Sequence, residues 1–164
     1  MGAMYFSQVG IGRDVSDAFH TAREQAGWEH GHGGYTGTLA EKYDYVVFDL
    51  PNGWKSVDLL RTAQLAEYPE RLEGRADPVV TKRMDEADRK RYLARRAADK
   101  RLLAKALATF GPAGLDRLAA VYADKWGPAG AVQMTGAEAA KVKASMCRKG
   151  SHDKVFLFFG SASS

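Results

Sequence analysis

Val155-Phe156-Leu157-Phe158-Phe159 is the stretch that most limits what this chain can become. It lies between Lys154 and Gly160, too short for a helix and with no polar face to turn toward water. Such a run predicts a strand buried on both sides. A sheet must therefore exist to bury it, and two other segments qualify as its strands. Tyr5–Ile11 is rich in aromatic and β-branched residues. Tyr43–Leu50 alternates, with Tyr43, Tyr45 and Val47 on one face and Val46, Phe48 and Leu50 on the other. Both of its faces are largely apolar, so it is expected to be central, with the last strand beside it. The trailing Ser161-Ala162-Ser163-Ser164 is expected to fray.

Helical spacing accounts for much of the remainder. Asp14 is a plausible N-cap, Asp17 suits the first turn, and Val15, Ala18, Phe19, Ala22 and Ala26 make a buried stripe along a helix over 14–28. Gly10-x-Gly12 ahead of it reads as a tight strand-to-helix turn, a lone pair of glycines being a weak phosphate signal. Ser56 can cap a helix carrying Val57, Leu60 and Leu65, which Tyr68-Pro69 closes. Residues 69–81 read as a polar connector. The longest helix is expected over 79–110, with a weak apolar stripe (Met84, Tyr92, Leu93, Leu102, Leu103) that leaves it partly exposed. Phe110-Gly111-Pro112-Ala113-Gly114 is echoed by Trp126-Gly127-Pro128-Ala129-Gly130, and both copies read as helix corners. Thr135-x-x-Glu138 has the spacing of a capping box for a last helix to about Cys147.

The expected architecture is α+β. A small sheet of three to four strands is covered by the N-terminal helix, and a C-terminal helical subdomain precedes the last buried strand. At 164 residues the chain reads as a single domain. Its parts are a β-α-β-α portion over 1–68, a helical portion over 79–150 and the final strand over 154–160. No run approaches the ~18 apolar residues of a membrane span. Met1-Gly2-Ala3-Met4 reads as an expression remnant, not a signal peptide. The lone Cys147 rules out an intrachain disulfide and suits a reducing cytoplasm.

The richest stretch for function is Glu29-His30-Gly31-His32-Gly33-Gly34-Tyr35-Thr36-Gly37-Thr38-Leu39-Ala40-Glu41-Lys42. Glycines concentrate where the backbone needs positive φ or a close approach. Three readings stand. The stretch can be a connector, with a helix ending at Gly31 and an irregular loop entering a strand. It can cradle a small anionic ligand or nucleotide on backbone amides, lined by Arg13, His30, His32, Gly33, Gly34, Tyr35, Thr36 and Thr38. Or Glu29, His30 and His32 can begin a metal site for an assisted hydrolysis, although zinc needs three or four such ligands and only His20 and His152 remain as imidazoles.

The segments Ala18-Phe19, Ala22-Arg23-Glu24 and Gly31-His32-Gly33-Gly34-Tyr35-Thr36-Gly37-Thr38-Leu39-Ala40-Glu41-Lys42 resemble a segment of small uncharacterised phage and prophage proteins. The resemblance covers about residues 5–50. It implies a bacterial or phage intracellular setting and supplies no catalytic residue, since no activity is established for those proteins.

Charge is unevenly spread. Residues 1–81 carry 7 Lys/Arg and 12 Asp/Glu, whereas residues 82–105 carry 10 and 4. Arg89, Lys90, Arg91, Arg95, Arg96, Lys100 and Arg101 could contact the phosphates of a nucleic acid or an acidic protein. The acidic first half could be that partner in a homo-oligomer. Against this, the basic residues point around the cylinder, and Asp85, Glu86, Asp88 and Asp99 interrupt them. No Gly-x-Ser-x-Gly elbow and no cysteine–base pair appears, so no catalytic residue and no cofactor is expected. The sequence thus favours a non-enzymatic, phage-type accessory protein binding an anion at the glycine loop. The alternatives are nucleic-acid or acidic-protein binding through 82–105, and a hydrolase using His30 and His32.

Overall fold

The computed structural model describes residues 2–31, 35–73, 76–146 and 152–163. The elements run β1 (Ala3–Gly12), α1 (Val15–His30), a 3-10 turn at Leu39–Glu41, β2 (Tyr45–Phe48), α2 (Ser56–Glu67) and a second 3-10 turn at Pro69–Leu72. They continue with α3 (Pro78–Lys82), α4 (Glu86–Ala123), β3 (Ala129–Met134), α5 (Gly136–Ser145) and β4 (Lys154–Ser163). The α+β class and the N-terminal helix over the sheet are as the sequence predicts. Two compact units result, Met1–Leu60 with Ala120–Ser164, and Arg61–Ala119.

In the first unit the sheet order is β1-β4-β3-β2. β4 pairs antiparallel with β1 from Gly12↔Lys154 to Ala3↔Ser163, and antiparallel with β3 on its other side. The apolar run is central, as its composition demands. Phe156 and Phe158 face α1 and pack with Ala18, Phe19, Ala22 and Ala26. Phe159 faces the other way, toward Tyr122 and Phe48.

Several expectations are corrected. The strand expected over Tyr43–Leu50 is confined to Tyr45–Phe48, lies at the sheet edge, and pairs with β3 in parallel, not with β4. Its alternation is as predicted, Tyr45 meeting Phe19 and Phe158 while Phe48 meets Phe159. An apolar face need not be a covered one: Tyr43 and Val47 stay exposed while Tyr45, Val46 and Phe48 are partly buried, as suits a strand at the edge. Residues 161–163 do not fray: they extend β4 and are buried. Ser161 donates its hydroxyl to the Ala123 carbonyl at 2.7 Å, and the Ser163 carbonyl accepts the Gly37 amide at 2.8 Å. Ser164 and Cys147 lie outside the described residues.

The largest correction is β3, which occupies a stretch read as a helix corner. Only the first copy of the echoed motif is a corner, where Gly111 (φ 68°, ψ 175°) breaks α4 ahead of Pro112. In the second copy the Asp124 carboxylate accepts the amides of Trp126 and Gly127, both at 2.9 Å, and turns the chain into β3. Gly130 then faces Phe159, whose ring would stand 2.5 Å from a Cβ at that position. A larger residue there would collide with the central strand. Gly10 and Gly12 serve a similar purpose, their missing Cβ atoms leaving room for the Ala18 backbone at 2.4 Å.

α1 starts and stops on sequence signals. Asp14 Oδ1 accepts the Asp17 amide at 2.9 Å, and Gly31 (φ 92°) closes the helix with its amide on the Gly27 carbonyl. Thr135 is the N-cap residue of α5 but makes no side-chain cap bond. The expected capping box is therefore absent, because Glu138 accepts the Ser56 amide and hydroxyl instead. Ser56 lies inside α2, where Asp58 accepts the preceding Lys55 amide at 3.1 Å.

In the second unit α2 ends before Tyr68-Pro69, as the proline predicts. The helix expected over 79–110 is two helices. Asp85 caps the longer one, accepting the Asp88 amide at 2.7 Å. No helix among the described residues is long and apolar enough to cross a membrane.

Candidate functional site

Tyr35 leaves the glycine stretch with a positive φ of 62°, uncommon for a residue with a side chain, and its ring is exposed. The residues that follow are bound to one another and to the sheet. Glu41 Oε1 accepts the Thr36 amide at 3.1 Å and the Thr36 hydroxyl at 3.0 Å. Thr36 and Thr38 share a hydroxyl contact at 2.8 Å, and Thr38 Oγ1 accepts the Ala40 amide. The amides of Glu41 and Lys42 donate to Thr38 and Leu39 carbonyls. The anion cradled by this half of the loop is thus the chain's own carboxylate.

Arg13 is not part of that constellation. It follows the Gly12 end of β1, whereas the loop joins the sheet where Gly37 meets Ser163, opposite Ala3. A ten-residue strand separates the two, roughly 30 Å. Arg13 instead donates its amide (2.9 Å) and guanidinium (3.3 Å) to Asp17, and those bonds hold the Asp17 carboxyl below its usual range. His30, the last residue of α1, is half-exposed and 4.0 Å from Glu29. His32, Gly33 and Gly34 lie outside the described residues. Among the described residues no group of three His, Cys, Asp or Glu is close enough to hold a metal ion.

Lys42, at the end of the same stretch, is the least expected feature. It is almost wholly buried, and its ammonium donates to the carbonyls of Asp124 (2.8 Å) and Gly127 (2.9 Å) just past the end of α4. Burial pushes its pKa down from 10.5 to about 8, while the Asp124 carboxylate pulls the other way. The lysine ties the glycine stretch to the turn that starts β3, and that role has no signature in local sequence.

The basic residues of α4 separate into two sets. Ala87, Lys90, Ala94, Ala97, Arg101, Lys105 and Ala108 follow one another at intervals of three or four, and all are exposed. Residues at that spacing share one side of a helix. Arg91 and Ala98 flank the same side. No carboxylate interrupts the stripe between Ala87 and Ala108: Glu86 precedes it, Asp88 sits beside Arg91 at 3.3 Å, and Asp99 is buried on the far side. Lys90 and Arg101 have no partner among the described residues.

The second set turns to its own unit. Arg89 donates to the carbonyls of Thr81 (3.0 Å) and Met84 (3.4 Å), closing the end of α3. Arg96 reaches the carbonyls of Arg71 and Glu73. Arg95 and Arg96 line a cleft with Arg61 and Arg71. Lys100 lines an adjoining, mainly apolar groove of about 430 Å³ with Leu103 and Leu107. Sequence reasoning named Arg89, Arg95, Arg96 and Lys100 among the candidate partner contacts spread around the cylinder, and it missed Arg61 and Arg71 because neither belongs to the charged run. The unit Arg61–Ala119 holds 14 Lys/Arg and 9 Asp/Glu, a net of +5 that exceeds the +4 of the whole chain.

Compared with protein-family models, with curated proteins and with solved structures, this chain matches none.

Proposed function

We propose that this chain is a non-enzymatic binding protein that holds nucleic acid by its phosphates along the outer side of α4. The stripe of Lys90, Arg101 and Lys105 separated only by alanines carries the reading. Basic side chains neutralise phosphates and release counterions, which gives affinity without sequence preference. Alanines between them let a helix backbone approach a duplex closely, and α4 runs roughly 37 Å before its break at Gly111. Its alternation of charge with methyl groups, free of carboxylates, is what separates this side from an ordinary solvated surface. A bacterial or phage interior, which the resemblance implies, is a setting rich in such a partner.

A small anionic ligand at the glycine loop draws less support, because the amides of Thr36, Gly37, Ala40, Glu41 and Lys42 already have acceptors within the protein. The deciding experiment is fluorescence anisotropy of a labelled DNA duplex titrated with the intact chain at low and moderate salt. Tight binding that weakens steeply with salt, and is lost in Lys90→Glu/Arg101→Glu, is the expected result. Binding insensitive to salt, or undiminished in the double variant, would refute it.

A further inference from the structure

We infer that the cleft on the opposite side of α4 is a binding site for a small phosphate monoester that carries a ring. The site does not depend on the nucleic-acid reading. Its volume is about 320 Å³, at the lower end of the range for small-molecule pockets.

Among the described residues four arginines line it, Arg61, Arg71, Arg95 and Arg96, against the single acid Asp99. That carboxylate is spoken for: Arg61 holds it through both oxygens, Nε to Oδ1 at 3.0 Å and Nη2 to Oδ2 at 2.5 Å. A two-pronged ion pair of this kind neutralises Arg61 and fixes it in place. Three positive charges then remain. Arg96 spends its donors on backbone carbonyls, which orient it without cancelling its charge. Arg71 lies 4.1 Å above the Tyr68 ring, again with no neutralising acid among the described residues. Arg95 has no partner among the described residues.

Like charges gathered around one cavity repel, and a ligand with a double negative charge relieves that repulsion at several points together. A phosphate monoester is close to a dianion at neutral pH and presents three acceptor oxygens. Guanidinium groups match those oxygens in pairs, whereas a single carboxylate offers half the charge. The remaining wall is Tyr92 and Leu72. A half-buried ring beside an aliphatic side chain is suited to the flat, apolar part of a ligand, and it tells an aromatic phosphate from inorganic phosphate.

Isothermal titration of the full chain with phenyl phosphate, inorganic phosphate and benzoate tests this. Phenyl phosphate should bind saturably, at least tenfold tighter than either other probe, and at least tenfold weaker in Arg95→Gln. Arg95 is exposed and bonded to nothing described, so that variant should keep its fold, and an unchanged circular dichroism melt verifies it. Lys90→Gln, on the outer side, should leave phenyl phosphate affinity unaltered. Absence of saturable binding, equal affinity for phenyl and inorganic phosphate, or the same affinity in Arg95→Gln would each overturn the assignment.

Discussion

Glu138 accepts both the backbone amide and the hydroxyl of Ser56, at 3.2 and 2.8 Å, across 82 residues of sequence. Its carboxylate thereby does for the first turn of α2 what a local capping residue would do, and it joins α5 to that turn. Ser56 is fully buried, so removing the acceptor leaves a donor with no route to water. Glu138→Ala should cost about 1–3 kcal/mol, and Ser56→Ala less. Urea denaturation of both single variants and the double variant checks this; the double should lose less than the sum.

Lys42 sets a pH dependence with a definite sign. Its folded pKa of about 8 lies below the unfolded 10.5, so between those values the unfolded chain binds more protons. Stability should therefore rise with pH across that window, complete above the unfolded pKa and gone below the folded one. The rise is on the order of 3 kcal/mol at most. Comparing urea midpoints of the native chain and Lys42→Met from pH 7.5 to 10 isolates it, since only the native chain should show this component.

Gly130 and Phe159 face one another across β3 and β4. A Cβ at residue 130 would sit 2.5 Å from ring atoms of a side chain that is itself fully buried. Gly130→Ala should destabilise by about 1–3 kcal/mol through overpacking. Phe159→Leu in the same chain should return part of that loss, a coupling that thermal melts of the four-member mutant cycle will show.

On the outer side of α4, Lys90, Arg91, Arg101 and Lys105 offer at most four phosphate contacts, so the log–log salt slope of duplex binding should be about −3.5. Each charge removed should flatten it by about 0.9. Arg89→Gln should act differently. It should loosen α3, whose last carbonyls it closes, without reducing the slope. Anisotropy across a salt series separates the two behaviours.

The parts of the fold legible in the sequence are those set by local chemistry. Asp14 and Gly31 bound α1, Pro69 follows the end of α2, and five large apolar residues in succession make β4 a buried strand. What escaped is set by neighbours distant in sequence. Ala129-Gly130-Ala131 has little intrinsic preference for a strand, yet small residues are what the aromatic rings of β4 and α1 leave room for. Ser161 looks solvent-bound until the Ala123 carbonyl accepts its hydroxyl, and Ser163 is held through its backbone carbonyl by the Gly37 amide, its own buried hydroxyl having no partner among the described residues. The charged run announced a basic helix, but which arginines turn inward follows from Asp99 meeting Arg61, 38 residues away. In the glycine stretch, clustering marked a backbone with unusual φ, and Glu41 acting as its internal acceptor was not legible.

The position of β4 between β1 and β3 has a consequence for biosynthesis. A nascent chain halted near residue 150 holds β1 and the β2–β3 pair as two separate pieces with no ladder to join them. The sheet cannot be assembled progressively from the ribosome outward. It closes only once residues 154–163 have emerged to pair with β1 on one side and β3 on the other. Until then the edges that flank its slot stand open to any other extended peptide in the cell.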